Sequence, residues 1–197
     1  MILWINGAFG SGKTTTAYEL HRRLKPLSYV YDPENVGYFL RKNEPIWLQQ
    51  PNFQDEPLWR KFNFEMLSYL AECFDGVIIV PMTVINPTYY QEIIGRLRKK
   101  GIRVDHYVLG ASQTTLLKRL RRRLESKHSW AAQQIPLCLK ALQNPIFEHC
   151  LETDQLQTED IIQLIGNQSG LEIQPDTDAP ILKWIRKKIV LIKHIRS

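Results

Sequence analysis

Residues 1–16 read MILWINGAFGSGKTTT, and their reading decides the fold. Within them, Gly7-Ala8-Phe9-Gly10-Ser11-Gly12-Lys13-Thr14 spells G-x-x-x-x-G-K-[ST]. Ahead of the motif, Ile2 to Ile5 is an apolar, β-prone run that predicts a buried strand. Behind it, Ala17, Leu20 and Leu24 recur at helical spacing and predict a helix over about 13–24. Strand, glycine loop and helix together make a phosphate cradle. The glycines let consecutive N–H groups turn toward one oxyanion. The helix N-terminus adds its unpaired donors and the positive end of its dipole. Lys13 then reaches the β- and γ-phosphates, and the Thr14 hydroxyl ligates Mg²⁺. Gly7, Ala8, Phe9, Gly10, Ser11, Gly12, Lys13, Thr14 and Thr15 are therefore expected to bind ATP, with Thr14 as the metal ligand.

Moving outward, strand and helix signals alternate. Ser28 to Tyr31 predicts a short strand ending at Asp32-Pro33-Glu34, and residues 36–56 read as irregular. Pro57 to Phe74 predicts a helix opened by proline, with Leu58, Phe62, Met66, Leu70 and Cys73 on one stripe. Gly76 to Val80 is a buried strand, Pro87 to Lys100 a helix stopped by Gly101, and Arg103 to Leu109 a strand. Ser112 caps a helix over about 113–125. A helix over 131–143, a weak strand over 147–151 and a helix over 158–166 follow. This alternation predicts an α/β protein, with a parallel sheet of about five strands between two helical layers. With the glycine loop, it predicts a P-loop NTPase three-layer α/β/α fold of the nucleoside/nucleotide-kinase kind. Ligands should gather at the C-terminal strand ends.

The chain has 197 residues, 44% of them hydrophobic, which suits one folded domain. No apolar run approaches the ~18 residues of a spanning helix. A cleaved signal peptide would destroy the motif, so none is expected. The three widely spaced cysteines, Cys73, Cys138 and Cys150, form no C-x-x-C pair and read as reduced, buried thiols of a cytoplasmic protein. The histidines show no metal-ligand spacing. Net charge is +6, but Pro180 to Ser197 holds six Lys/Arg and no acid, so the remainder is near neutral. That excludes a general nucleic-acid footprint.

Phosphoryl transfer needs a phosphate cradle, an acid near the acceptor, and cations over the transferring group. Asp32, just past the second strand, is the candidate to accept the acceptor's proton or to hold Mg²⁺ through water; the alternative is an Asp-Pro turn. Glu34 is its reserve on the substrate side. The strand at 77–80 ends in Pro81-Met82-Thr83 rather than an acid, which disfavours a motor ATPase. Arg119 and Arg123, at i and i+4, could close over the triphosphate as a catalytic lid, or form a solvated basic face. Phe53, Gln54 and Arg60, with Thr83, are the candidate substrate contacts: aromatics with amides can bracket a planar base or a lipid-like chain.

WINGAFGSGKT, YVYDPE near 30, PLWR at 57–60, IIVPMT near 80, EIIGRLR at 92–98, LLKRLRRR at 116–123, SWAA at 129–132 and NPIFE at 144–148 resemble the tunicamycin resistance protein family of bacilli. The resemblance runs in order along nearly the whole chain. It implies ATP binding by Gly7 to Thr14, and a small-molecule partner, tunicamycin, a uridine-containing nucleoside antibiotic with a fatty acyl chain. It leaves open whether the drug is phosphorylated or only held; an ordinary nucleoside or sugar metabolite is a further acceptor. The wider kinase group carries an acid and an arginine where this chain has Pro81-Met82-Thr83.

The expected organisation is a kinase-like domain over 1–172, a linker over 173–180 and a basic amphipathic helix over 181–197. Ile181, Leu182, Trp184, Ile185, Ile189, Leu191, Ile192 and Ile195 fall on one broad face of such a helix. That pattern, with its cations, predicts peripheral attachment to an anionic membrane surface; the alternative is packing on the domain.

Overall fold

The computed structural model describes residues 1–25, 27–123, 125–126 and 128–178. The expected helix over 181–197 lies outside the described residues. The strands are β1 (Ile2–Gly7), β2 (Leu24–Lys25), β3 (Ser28–Val30), β4 (Val77–Pro81), β5 (Val104–Gly110), β6 (Cys150–Glu152) and β7 (Glu172–Ile173). The helices are α1 (Lys13–Arg23), α2 (Glu34–Asn43), α3 (Pro57–Cys73), α4 (Pro87–Tyr90), α5 (Arg96–Lys99), α6 (Gln113–Arg121), α7 (Trp130–Ala141) and α8 (Thr158–Ser169).

Five strands form one sheet in the order β3-β4-β1-β5-β6, every pairing parallel. β1 is buried throughout, as a central parallel strand must be. Its side chains alternate between two cores. Ile2 and Trp4 face the layer of α2, α3, α4 and α5, against Val36, Leu40, Trp59, Leu67, Ile93 and Leu97. Leu3 and Ile5 face α1 and α8, against Ala17, Leu20, Ile162 and Ile165. A third cluster seats α6 and α7 on Ala8 and Ala111. Burying each large apolar side chain is worth about 1.5–3 kcal/mol. The expected three-layer α/β/α architecture is thus observed.

Local differences have physical causes. The segment read as irregular opens with α2, whose Val36, Gly37 and Leu40 face the core. Gly37 lowers helix propensity, yet a Cβ there would stand 2.6 Å from the Phe53 ring. Glycine is what lets Phe53 close on the helix. The expected helix over 87–100 contains a π turn at Gln91–Gly95 between α4 and α5. The strand expected over 147–151 begins only at Cys150, as β6, because Phe147 still closes a turn on the Asn144 carbonyl at 3.0 Å. Of the thiols expected to be buried, Cys138 is, whereas Cys73 at the end of α3 and Cys150 on the edge strand β6 are exposed. Residues 172–178, read as a linker from 173, run along α1. β7 pairs antiparallel with β2; Arg23 Nε donates to the Gln174 carbonyl at 2.5 Å, and Arg22 pairs with Asp176 at 3.0 Å and Asp178 at 3.2 Å.

Candidate functional site: a phosphate loop between two walls

β1 delivers the chain to the C-terminal edge of the sheet, where the loop turns into α1. Gly7 and Gly10 adopt φ of +145° and +82°. A Cβ on Gly7 would meet the Leu109 carbonyl at 2.8 Å, and one on Gly10 the Leu116 carbonyl at 2.9 Å. Both positions therefore need glycine for conformation and for space. Lys13 Nζ donates to the Gly7 carbonyl at 2.9 Å and the Ala8 carbonyl at 3.1 Å. Burial pulls its ammonium down to about 8, opposed by the nearby Glu34 carboxylate. The loop thus holds a cation poised over its own carbonyls, with Glu34 within electrostatic reach.

A wall of side chains from the segments around 54, 60 and 83 is bonded to this loop. Thr83 Oγ1 donates to the Gly7 carbonyl at 2.8 Å, and Gln54 Nε2 donates to the Thr83 carbonyl at 2.8 Å. Arg60 donates to the Gln54 carbonyl at 2.6 Å, pairs with Glu92, and lies over the Tyr89 ring at 4.3 Å. Thr83, Gln54 and Arg60 are therefore brought together as one chain of contacts. Phe53 instead packs on Gly37 and Trp59, its ring centroid 5.5 Å from that of Trp59, as part of the wall's support. Asp32 is half-buried, and its Oδ1 accepts the Glu34 N–H at 3.0 Å at the start of α2.

Asn6 braces the same corner. Its Oδ1 accepts the N–H groups of Gly7 and Val84, and its Nδ2 donates to the Val84 carbonyl at 2.7 Å. The remaining amide hydrogen points at His106 Nε2, 3.2 Å away. That nitrogen must then be an acceptor, so the His106 proton resides on Nδ1. Burial holds this imidazole neutral, its pKa down at about 3.

On the other side of the loop lies a cleft of about 400 Å³. Gly10, Gly12 and Thr15 form its phosphate end, Arg119, Arg122 and Arg123 one flank, and Leu156 and Ile161 an apolar one. Arg119 donates to the Ser11 carbonyl at 3.2 Å, to Thr153 Oγ1 at 3.2 Å and to the Thr153 carbonyl at 2.7 Å. It bolts the loop to the end of β6. Burial lowers the pKa of both Arg119 and Arg123. The turn after β6, with Asp154 and Thr158, lines the cleft and escaped sequence reading. Its position past a parallel strand's C-terminal end was the available signal. Trp130 also escaped it. Its ring stands nearly perpendicular to that of Phe9, with centroids 5.1 Å apart.

Residues 3–134 match the family described as an AAA domain. No curated protein matches the chain by sequence. The tunicamycin resistance protein of Deinococcus radiodurans superposes with a TM-score of 0.74 at 30% identity, over 89% of this chain and 99% of that one. A sugar kinase from Janibacter sp. HTCC2649 follows at 0.61 and 18% identity, over 86% and 94%. The shikimate kinase of Bacteroides thetaiotaomicron gives 0.54 and 19%, over 86% and 98%. These two share the fold. With nearly the whole of the Deinococcus structure covered, and the glycine loop inside the family match, this chain belongs to the P-loop family of tunicamycin resistance proteins.

Proposed function

We propose that this chain is an ATP-dependent phosphotransferase whose acceptor is a hydroxyl of tunicamycin. The observation that carries the reading is the coupling of a phosphate loop to an acceptor wall through one carbonyl, that of Gly7, which receives both Lys13 and Thr83. In this reading the cleft beside Arg119 takes the nucleoside end of ATP, and Gly7 to Thr15 take its phosphates. Lys13 leaves the Gly7 and Ala8 carbonyls for the phosphate oxygens. Asp32 accepts the acceptor's proton, its carboxylate oriented by the Glu34 N–H. Since Arg119 is spent on Ser11 and Thr153, Arg123 is the better candidate to neutralise charge on the transferring group. The fit for Mg²⁺ rests on Thr14 in the first turn of α1. Among the described residues no group of three or more His, Cys, Asp or Glu side chains converges on one point. Thr14 and the nucleotide's own oxygens, with Asp32 through water, would hold the ion. It would supply positive charge to the phosphates.

A second reading, ATP-dependent sequestration of the drug without chemistry, is favoured by the Pro81-Met82-Thr83 sequence at the end of β4, which carries no acid. Incubation with ATP and tunicamycin, followed by mass analysis of the drug, separates the two. A gain of one phosphoryl group on the drug supports transfer. ATP-dependent retention of an unaltered drug supports sequestration, and ATP turnover indifferent to the drug points to another acceptor. No helix among the described residues is long and apolar enough to cross a membrane. We place the protein in the cytoplasm, with the basic segment over 181–197 holding it against an anionic membrane surface. Co-sedimentation with anionic vesicles, lost on truncation after Asp178, tests that placement.

A further inference from the structure

Trp130 is 62% exposed, yet it is not a loose surface side chain. It opens α7, whose Ser129 accepts the Ala132 N–H at 3.3 Å as the helix cap. Along the same helix, Ala132, Ile135 and Cys138 are buried against Ala8 of the phosphate loop and Ala111. The helix is therefore fixed on the loop, and the indole inherits that fixed position. The indole and the Phe9 ring stand nearly perpendicular, centroids 5.1 Å apart and planes at 74°, a favoured aromatic geometry. On the same Phe9 ring rests the Lys13 ammonium, 5.7 Å from the centroid. Glu34 and Cys138 of α7 both act electrostatically on the Lys13 ammonium. One lysine is thus within electrostatic reach of Glu34 and of α7, and an exposed indole stands one ring away from it. An indole buried for stability would hide its faces, whereas this one presents surface beside the reacting end of the site.

We propose that Trp130, backed by Phe9, is the stacking platform for a planar heterocycle of the acceptor, the uracil of a uridine-type nucleoside. The assignment rests on the nucleoside-acceptor reading above. It makes Trp130 a specificity-determining residue: it selects acceptors with a flat, π-faced ring, while the phosphate loop handles ATP. A π-face is read by stacking with little demand on hydrogen bonding. Phenylalanine should therefore substitute for Trp130 where alanine cannot.

The test is calorimetric titration of the full-length protein with ATP, uridine and tunicamycin, using wild type, Trp130→Phe and Trp130→Ala. Because the indole is largely exposed, both variants should fold, and a thermal melt checks this. The expected result for Trp130→Ala is uridine and tunicamycin binding weaker by between about 5-fold and about 150-fold, the span of base–aromatic stacking. Trp130→Phe should stay near wild type, and ATP affinity should not move in either variant. Undiminished uridine binding in Trp130→Ala overturns the platform. So does an equal loss of ATP affinity, which would mean that Trp130 only shapes the phosphate loop. A wild-type protein that binds uridine but not tunicamycin overturns the drug reading, and the uridine series alone then decides the platform. A wild-type protein that binds neither overturns both.

Discussion

Lys13 Nζ and Thr83 Oγ1 donate to the same carbonyl oxygen, that of Gly7, at 2.9 and 2.8 Å. One carbonyl of the glycine loop therefore receives both the lysine and the wall built on Thr83, Gln54 and Arg60. Thr83 thus ties the chain after β4 to the loop by a side-chain hydrogen bond that does not depend on the lysine.

Thr83→Val should remove that tie while keeping shape and volume. A neutral buried hydrogen bond is worth about 1 kcal/mol, so denaturant midpoints should show a loss of that order. Turnover should fall more than ATP affinity, because the wall is displaced and the loop is not. Unchanged turnover at normal stability would show that the contact is architectural only.

The Lys13 ammonium titrates near 8 because burial disfavours its charge. Phosphate binding needs the charged form. ATP affinity of the free protein should therefore hold below pH 8 and weaken above it, by up to about tenfold per pH unit. Binding above pH 8 should also take up a proton, since the phosphates raise the lysine's pKa in the complex. Calorimetry in buffers of different ionisation enthalpy reads this uptake directly. Lys13→Met should abolish both the pH slope and most of the affinity while leaving the melting temperature close to wild type.

Much of this site was legible in the chain because its physics is local. Gly7 to Thr14 carry their own spacing, and Ile2 to Ile5 carry the burial of a central strand in their composition. The parallel sheet followed from the alternation of periods. What stayed hidden depends on distant partners. Gly37 reads as a helix breaker until the Phe53 ring is seen against it. Arg119 reads as a mobile cation until Thr153 and the Ser11 carbonyl are seen to hold it. Gln54, Arg60 and Thr83 were singled out for their chemistry, but their linkage to one another exists only in three dimensions. Trp130 sat in a quoted stretch without a role, because nothing local ties an indole to Phe9, far back along the chain.

Arg119→Lys should be nearly as damaging as Arg119→Ala. The guanidinium spans two partners, the Ser11 carbonyl and Thr153, and a single ammonium cannot reproduce that fork. Hydrogen bonds from a charged group contribute about 1.5–3 kcal/mol. For a chain of this size each kcal/mol lost lowers the melting temperature by roughly 2–4 °C. Both variants should melt earlier and bind ATP more weakly, because the loop loses its bolt to β6. A lysine variant indistinguishable from wild type would show that the charge alone matters.

His106 is neutral in the folded chain, with Nε2 accepting from Asn6 and burial holding its pKa at about 3. Unfolded, the same imidazole titrates near its ordinary value of about 6.5. Between those two values the unfolded chain carries one more proton than the folded one. Acid therefore favours unfolding, and stability should fall as pH drops below about 6.5, by up to about 1.4 kcal/mol per unit from this residue alone. Because Asn6 also holds Gly7 and Val84, the loss should reach the phosphate loop and weaken ATP binding along with the fold. His106→Gln keeps an acceptor for the Asn6 amide but cannot titrate. Urea midpoints measured at pH 7.5, 6.0 and 5.0 should fall less steeply for the variant than for wild type, by the equivalent of one proton. Parallel slopes for the two proteins would place the acid sensitivity elsewhere in the chain.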